Sequence, residues 1–314
     1  MKPIIALFPG QGSQRVGMGK ALYDGAARAR ELFHLADEAL GFSLSKICFE
    51  GPAEELTRTA IAQPAILTVT TICFELAQQG SPGGLPIVAA AGHSLGEYSA
   101  LVAAGAIPFH DAVRLVNRRG TFMQEAVAPG VGAMVAVMGA SEVELEQHCH
   151  TVTQEIGEPV ELANVNTNEQ IVVAGTKRAV DALIPRLAAF RTVPLQVSAP
   201  FHCSLMKPAA ERLREALREV PIEKPRFPIF ANFSASIGKT ADEIRELLYQ
   251  QVCGRVRWVG CMESARRQFP ADTVIEFGNG SVLTGLMKRI DSSVQRRNVD
   301  SLESIEQLLK DSAV

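Results

Sequence analysis

The stretch from Pro86 to Gly105 reads PIVAAAGHSLGEYSALVAAG, and at its centre Gly92-His93-Ser94-Leu95-Gly96 sets a serine in a Gly-x-Ser-x-Gly pattern. A short apolar run, Ile87 to Ala91, leads in, and a helix-like segment, Glu97 to Ala104, leads out. A nucleophile elbow needs that context: a turn too tight for side chains at the glycine positions lifts the serine oxygen clear of a sheet edge. At the helix N-terminus that follows, the N–H of Leu95 and the helix dipole favour an oxyanion. In a chain with 25 glycines the pattern alone is weak; the strand before it and the helix after it give it meaning.

A nucleophilic Ser94 needs a base. Of six histidines, His202 is the best placed, in Ala199-Pro200-Phe201-His202-Cys203-Ser204 just after the strand-like Val193 to Ser198, because loops at strand ends carry catalytic groups. His148 and His150 fall on a charged helix and read as surface residues. In Phe109 to Val127 apolar residues recur at three and four, and Arg118 and Arg119 stand side by side. Neighbouring helix positions are about 100° apart, so at most one of the two points with Val116 and Met123, where an inward arginine needs an anion; the alternative is that both are solvated surface arginines. Earlier, Gly10-Gln11-Gly12 follows the strand-like Pro3 to Phe8. Its glycines let the backbone come close to a ligand, although an ordinary strand-to-helix turn has the same look.

The elements that must hold these groups alternate along the chain. Helices are predicted over Gly19 to Leu40 and Ala65 to Leu76, the second packing under a central sheet. Between Pro129 and Pro194 the order is strand, helix, strand, strand, helix, strand: Gly132 to Met138, Ser141 to His150, Val160 to Asn164, Gln170 to Ala174, Lys177 to Phe190 and Arg191 to Val197. That is the ferredoxin-like pattern. Beyond His202 come a helix over Lys207 to Val220, a strand over Pro228 to Asn232, two helices, a strand over Thr273 to Phe277 and a basic helix over Leu283 to Ile290. The expected fold is α/β, with a large hydrolase-like subdomain (1–128 and 197–314) carrying a mostly parallel sheet and the elbow. A small ferredoxin-like α+β subdomain (129–196) is inserted in it.

At 314 residues and 47% apolar the chain can bury a sizeable core. A net charge of −3 gives no reason to expect nucleic acid or an anionic membrane as partner. The N-terminus lacks a signal-peptide pattern, and no apolar run nears the length of a bilayer span, so no membrane segment is expected. Six cysteines without a Cys-x-x-Cys pair read as thiols of a cytoplasmic protein, with neither a disulfide frame nor a metal site.

Gly10-Gln11-Gly12-Ser13-Gln14, Gly92-His93-Ser94-Leu95-Gly96-Glu97-Tyr98-Ser99-Ala100, Arg119-Gly120-x-Phe122-Met123-Gln124 and Phe201-His202 occur in this order. Together they resemble the malonyl-CoA:acyl carrier protein transacylase family, which includes discrete polyketide synthase acyltransferases. The likeness runs from Ile5 to about Ile290, with further matches at Gln63-Pro64-Ala65 and Asn164-x-Asn166. It implies that Ser94 is acylated, that His202 is the base, and that the backbone N–H groups of Gln11 and Leu95 hold the oxyanion. It implies that Arg119 pairs with the free carboxylate of malonyl, that Phe201 crowds the place of an α-methyl, and that Gln251 and His93 complete the substrate site. Arg191, Lys288 and Arg289 would form a basic rim for an acidic carrier protein, with Arg186 as a further candidate.

No bound cofactor or metal is implied, and malonyl-CoA is the substrate. The reaction would be ping-pong transfer to a phosphopantetheine thiol, for fatty acid or polyketide synthesis, by a monomer. An acyl hydrolase clearing carriers, or a transferase of another carboxylated acyl group, is the alternative. Two departures stand out. Gly278-Asn279-Gly280 replaces the usual Gly-Pro-Gly, and Cys253-Gly254-Arg255 replaces the usual Tyr-Asn-Pro.

Overall fold

All five residues of Ile4–Phe8 (β1) are buried, and they alternate between two cores: Ile4, Ala6 and Phe8 enter one, Ile5 and Leu7 the other. A strand apolar on both faces belongs inside a sheet that is covered on both sides. The computed structural model, which describes residues 2–312, has β1 in that position. The other strands follow in chain order: Ile87–Gly92 (β2), Gly132–Met138 (β3), Val160–Thr167 (β4), Gln170–Thr176 (β5), Arg191–Pro194 (β6), Ile229–Ala231 (β7), Ser236–Ile237 (β8), Thr273–Phe277 (β9) and Gln295–Val299 (β10).

The larger sheet runs β10-β9-β1-β2-β7-β8 and is parallel except for the β7–β8 edge hairpin. β1, β2 and β7 are neighbours, and their carboxyl ends deliver the Gln11 loop, the Ser94 turn and Asn232 to one edge. Ligands bind at that edge in open parallel sheets. The smaller sheet, β4-β5-β3-β6, is antiparallel throughout. Helices Glu142–Ile156 and Lys177–Leu183 close over it around a separate core that includes Val135, Leu145, Ile171 and Leu183. The expected α/β class and the ferredoxin-like strand order are both present.

Several element boundaries differ from the sequence expectation. The helix expected over Gly19 to Leu40 breaks at Ala26, whose φ of −133° and ψ of 129° are extended, giving Lys20–Gly25 and Ala27–Leu40. The C-terminal helix sits against this break: a Cβ on Gly25 would come within 2.3 Å of Leu302 Cδ1. Helix Glu142–Ile156 runs past His150 to a left-handed Gly157. The helix expected to reach Phe190 stops at Leu183 and continues as a 3₁₀ turn, Ile184–Leu187, where Pro185 has no N–H to offer. β6 ends at Pro194, short of Val197.

Helix Thr59–Gly80 is also longer than expected, and it alone among the described residues is long and apolar enough to be set against a bilayer span. Its 22 residues pass that test by length and hydropathy, but 83% of its most apolar window is buried inside the fold. Pro64 lies within it and cannot donate to the Ala60 carbonyl; Asn117 Nδ2 donates there instead, at 2.8 Å. Three residues on, Gly120 brings helix Phe109–Glu125 so close that a Cβ would lie 2.5 Å from the Thr59 carbonyl oxygen. The two helices are thereby fixed to each other on either side of Arg119.

Candidate active site

Ser94 has φ 51°, a left-handed backbone that a serine adopts only under constraint. Its surroundings supply the constraint. A Cβ on Gly92 would lie 1.9 Å from the Gly96 backbone, and one on Gly96 would lie 2.0 Å from the Phe8 carbonyl oxygen. Asn232 clasps the turn, its Oδ1 accepting from the Ser94 N–H at 2.6 Å and its Nδ2 donating to the Gly92 carbonyl at 2.7 Å.

His202, also at positive φ (60°), reaches the serine across 108 residues of sequence, with Nε2 2.8 Å from Ser94 Oγ. Its Nδ1 is 2.7 Å from the Gln251 carbonyl oxygen. A carbonyl only accepts, so the proton sits on Nδ1 and Nε2 is free to accept from the hydroxyl. Burial, and then the charge of Arg119, depress the imidazole pKa to about 3, partly opposed by the Gln251 carbonyl. At neutral pH it is therefore an uncharged base.

Of the two adjacent arginines, Arg118 is on the surface, paired with Glu219, and Arg119 is 1% exposed. Arg119 donates from Nη1 to Gln63 Oε1 (2.8 Å) and from Nη2 to Gln251 Oε1 (2.9 Å) and Ser94 Oγ (3.1 Å), with the Tyr98 ring 5.3 Å away. Burial pulls its pKa below the ordinary arginine value. Among the described residues no carboxylate pairs with it, and its Nε has no partner. The Glu97 carboxyl reaches it only through Gln251, so the guanidinium has no direct counter-ion, and a site that keeps such a cation suits an anion.

Gln251 is fully buried behind Arg119 and His202, off the cavity wall. Its Nε2 donates to the Ser94 carbonyl (3.0 Å) and to Glu97 Oε2 (2.8 Å). Glu97 Oε2 also accepts from the Asn232 N–H at 2.9 Å. Burial pushes the Glu97 carboxyl up to about 7, opposed by those hydrogen bonds and by Arg119. Sequence reasoning missed Glu97, Asn232 and the contact of Gln63 with Arg119.

A cavity of about 210 Å³ is walled by Gln11, Ser94, Leu95, Arg119, Phe201 and His202. The backbone N–H groups of Gln11 and Leu95 find no protein acceptor among the described residues. The Gln11 side chain is exposed and reaches Thr59 Oγ1 at 3.4 Å. His93, beside the serine, contacts Asn166 Oδ1 through Nε2 (2.9 Å) and lies 5.5 Å from the Trp258 ring. A second hollow of about 320 Å³ shares Gln11, His93 and Leu195 with the first and extends to the exposed Val282.

Arg191, Lys288 and Arg289 are exposed. Arg289 donates to Gln170 Oε1 (3.1 Å), and β3 sets Gln170 and Arg191 on either side of Met138, so Arg191 and Arg289 flank one end of the small sheet. Arg186 is held by Glu155. Of the two departures, Asn279 is buried with no partner for Nδ2 among the described residues. Arg255 pairs with Glu142 and Glu146, and Val256 bridges to β4, so this loop is stitched to the small sheet. Among the described residues no cluster of three His, Cys, Asp or Glu could hold a metal.

A serine on a strained turn, a neutral imidazole accepting from it and two uncommitted backbone donors define a protein of the serine-nucleophile α/β class, built for acyl chemistry. The chain belongs to the acyl transferase domain family, whose model matches residues 6–311. It is 45% identical over 312 residues to the malonyl CoA-acyl carrier protein transacylase of Bacillus subtilis (strain 168), covering 98% of this chain and 96% of that protein. The protein of the same name in Escherichia coli (strain K12) is 42% identical over 287 residues, covering 90% and 91%. Among solved structures, the malonyl CoA-acyl carrier protein transacylase of Coxiella burnetii superposes with a TM-score of 0.94 at 36% identity, covering 98% of this chain and 97% of that one. A malonyl-transacylase in complex with a type II polyketide synthase acyl-carrier protein gives 0.94 at 38%, covering 98% and 99%.

Proposed function

We propose that this chain transfers a malonyl group from malonyl-CoA to the phosphopantetheine thiol of an acyl carrier protein, for fatty acid or polyketide synthesis. The observation that carries this reading is the buried guanidinium of Arg119, in direct contact with no carboxylate among the described residues and 3.1 Å from the Ser94 hydroxyl.

Ser94 Oγ attacks the thioester carbonyl carbon as its proton passes to His202 Nε2. The tetrahedral oxyanion lies between the N–H groups of Gln11 and Leu95. The C–S bond breaks, the CoA sulfur takes the proton back from Nε2, and malonyl is left as a Ser94 ester. The pantetheine thiol then gives its proton to His202 and attacks the ester, and Ser94 recovers that proton as it leaves. Arg119 spends three of its five N–H donors on Gln63, Gln251 and Ser94. Once Ser94 Oγ is esterified it is a poor acceptor, so a third donor joins the two already free to hold the malonyl carboxylate. Phe201 and His93 line the acyl end of the cleft.

In this reading residues 129–196 form the small subdomain over the cleft. The basic groups Arg191, Lys288 and Arg289 meet the acidic carrier, and the enzyme works as a cytoplasmic monomer. The test is intact-mass spectrometry after mixing with malonyl-CoA. A malonyl increment on wild type, absent from Ser94→Ala and discharged by a holo carrier protein, is expected. CoA release without carrier-bound product would defeat the reading.

A further inference from the structure

Glu97 follows the elbow directly, in the first turn of helix Gly96–Ala103, where an acid is ordinarily solvated. Here its side chain is turned inward and is 3% exposed. One oxygen, Oε2, accepts from two donors that each go on to touch the chemistry. The first is the Asn232 N–H, whose own side chain holds the Ser94 amide at 2.6 Å. The second is Gln251 Nε2, and the residue that bears it supplies the carbonyl for His202 Nδ1 at 2.7 Å and the amide oxygen for Arg119 Nη2 at 2.9 Å.

The Gln251 amide could in principle face either way. With Nε2 committed to Glu97 and to the Ser94 carbonyl, Oε1 is left facing Arg119. If the amide flipped, its NH2 would meet the guanidinium donor to donor, and the arginine fork would have to move. We infer that Glu97 is a positioning residue for acyl transfer: as a carboxylate acceptor it fixes the orientation of Gln251, and through it the placement of Arg119 and His202.

The inference rests on malonyl transfer at Ser94, and it deepens that reading. The charged and titratable groups facing the Glu97 carboxyl are Arg119, Tyr98 and Cys261, with His202 one residue further, beyond Gln251. Because burial raises the Glu97 carboxyl to about 7, the form that accepts both hydrogen bonds without a proton is lost as pH falls through that value. His202, held at about 3, contributes no limb there.

The experiment measures kcat/KM for acylation by malonyl-CoA, from acid to mildly alkaline pH, for wild type, Glu97→Gln, Gln251→Ala and the double variant. Glu97→Gln should lose about 10²-fold, the scale of an ångström's misplacement in a site. The double variant should fall no more than about threefold below Gln251→Ala, since both changes cut one connection. The wild-type rise through about pH 7 should be absent from Glu97→Gln. Effects that multiply independently, or a limb that persists in Glu97→Gln, would overturn the inference.

Glu97→Asp keeps the charge on a shorter arm, and it should retain the limb while losing rate. Should Glu97→Gln fail to fold, a wild-type rate in Glu97→Asp overturns the inference on its own. Labelling of Ser94 by a fluorophosphonate probe reads the serine and its base without malonyl. A slowed label in Glu97→Gln therefore stands even where malonyl-CoA proves not to be the donor, and an unchanged label counts against Glu97 alone.

Discussion

Replacing Arg119 with alanine removes three hydrogen bonds and, among the described residues, the only cation on the cavity wall near Ser94. In the proposed acyl-enzyme the guanidinium holds a carboxylate through at least two charge-assisted bonds. At about 1.5–3 kcal/mol each, partly offset by water entering the vacated space, a net loss of about 3–4 kcal/mol is expected. That corresponds to about a 10²–10³-fold fall in kcat/KM for malonyl-CoA. Acetyl-CoA has no carboxylate to lose, and for it the buried charge is an unmatched cost, so its use should hold or rise. Steady-state CoA release with the two thioesters measures the ratio directly. Equal falls for both would mean that Arg119 acts only on the Ser94–His202 pair, and an unchanged malonyl rate would remove it from the substrate site.

The same substitution tests the base. Arg119 is the second cause, after burial, that holds His202 down, so the acid limb that belongs to His202 should move up in pH in Arg119→Ala, as read from a kcat/KM profile. Protein stability should also respond to the histidine. From its folded pKa of about 3 to its unfolded value of about 6.5 the unfolded chain binds the extra proton, so this residue's share of stability rises with pH through that window, measurable by urea unfolding. Gly96→Ala forces a Cβ to within 2.0 Å of the Phe8 carbonyl oxygen and should cost about 3 kcal/mol or more together with the activity, checked by thermal melt and fluorophosphonate labelling. Charge reversal of Arg191, Lys288 and Arg289 together should raise KM for the carrier in a salt-dependent way and leave acylation by malonyl-CoA unchanged, because these exposed groups lie away from the cavity wall.

The elbow was legible because it is local: a strand, two glycines and a helix lie within a short stretch, and steric limits alone dictate the turn. The choice between Arg118 and Arg119 was posed correctly by helical spacing, but apolar neighbours alone do not say which of two adjacent arginines turns inward; Gln63 and Gln251 complete the answer from distant parts of the chain. Glu97 was hidden for a related reason. An acid in a helix's first turn reads as solvated, and only the approach of Asn232 and Gln251, more than a hundred residues later, makes a buried carboxyl tenable there. The break at Ala26 escaped notice because no local residue pattern marks it; Leu302, from the far end of the chain, packs against Gly25 beside it.

The close crossing around Arg119 makes the cleft a gauge of length. Asn117 fills the gap left by Pro64 on one side of the guanidinium, and Gly120 rides on the Thr59 carbonyl on the other. The backbone that carries the fork cannot draw back without parting from helix Thr59–Gly80, so only the side chain's own rotation is left to give. In the proposed reading a three-carbon diacid spans from hydroxyl to guanidinium, and each added methylene would have to be absorbed by breaking the fork's bonds to Gln63 and Gln251, because the two packed helices hold its base in place.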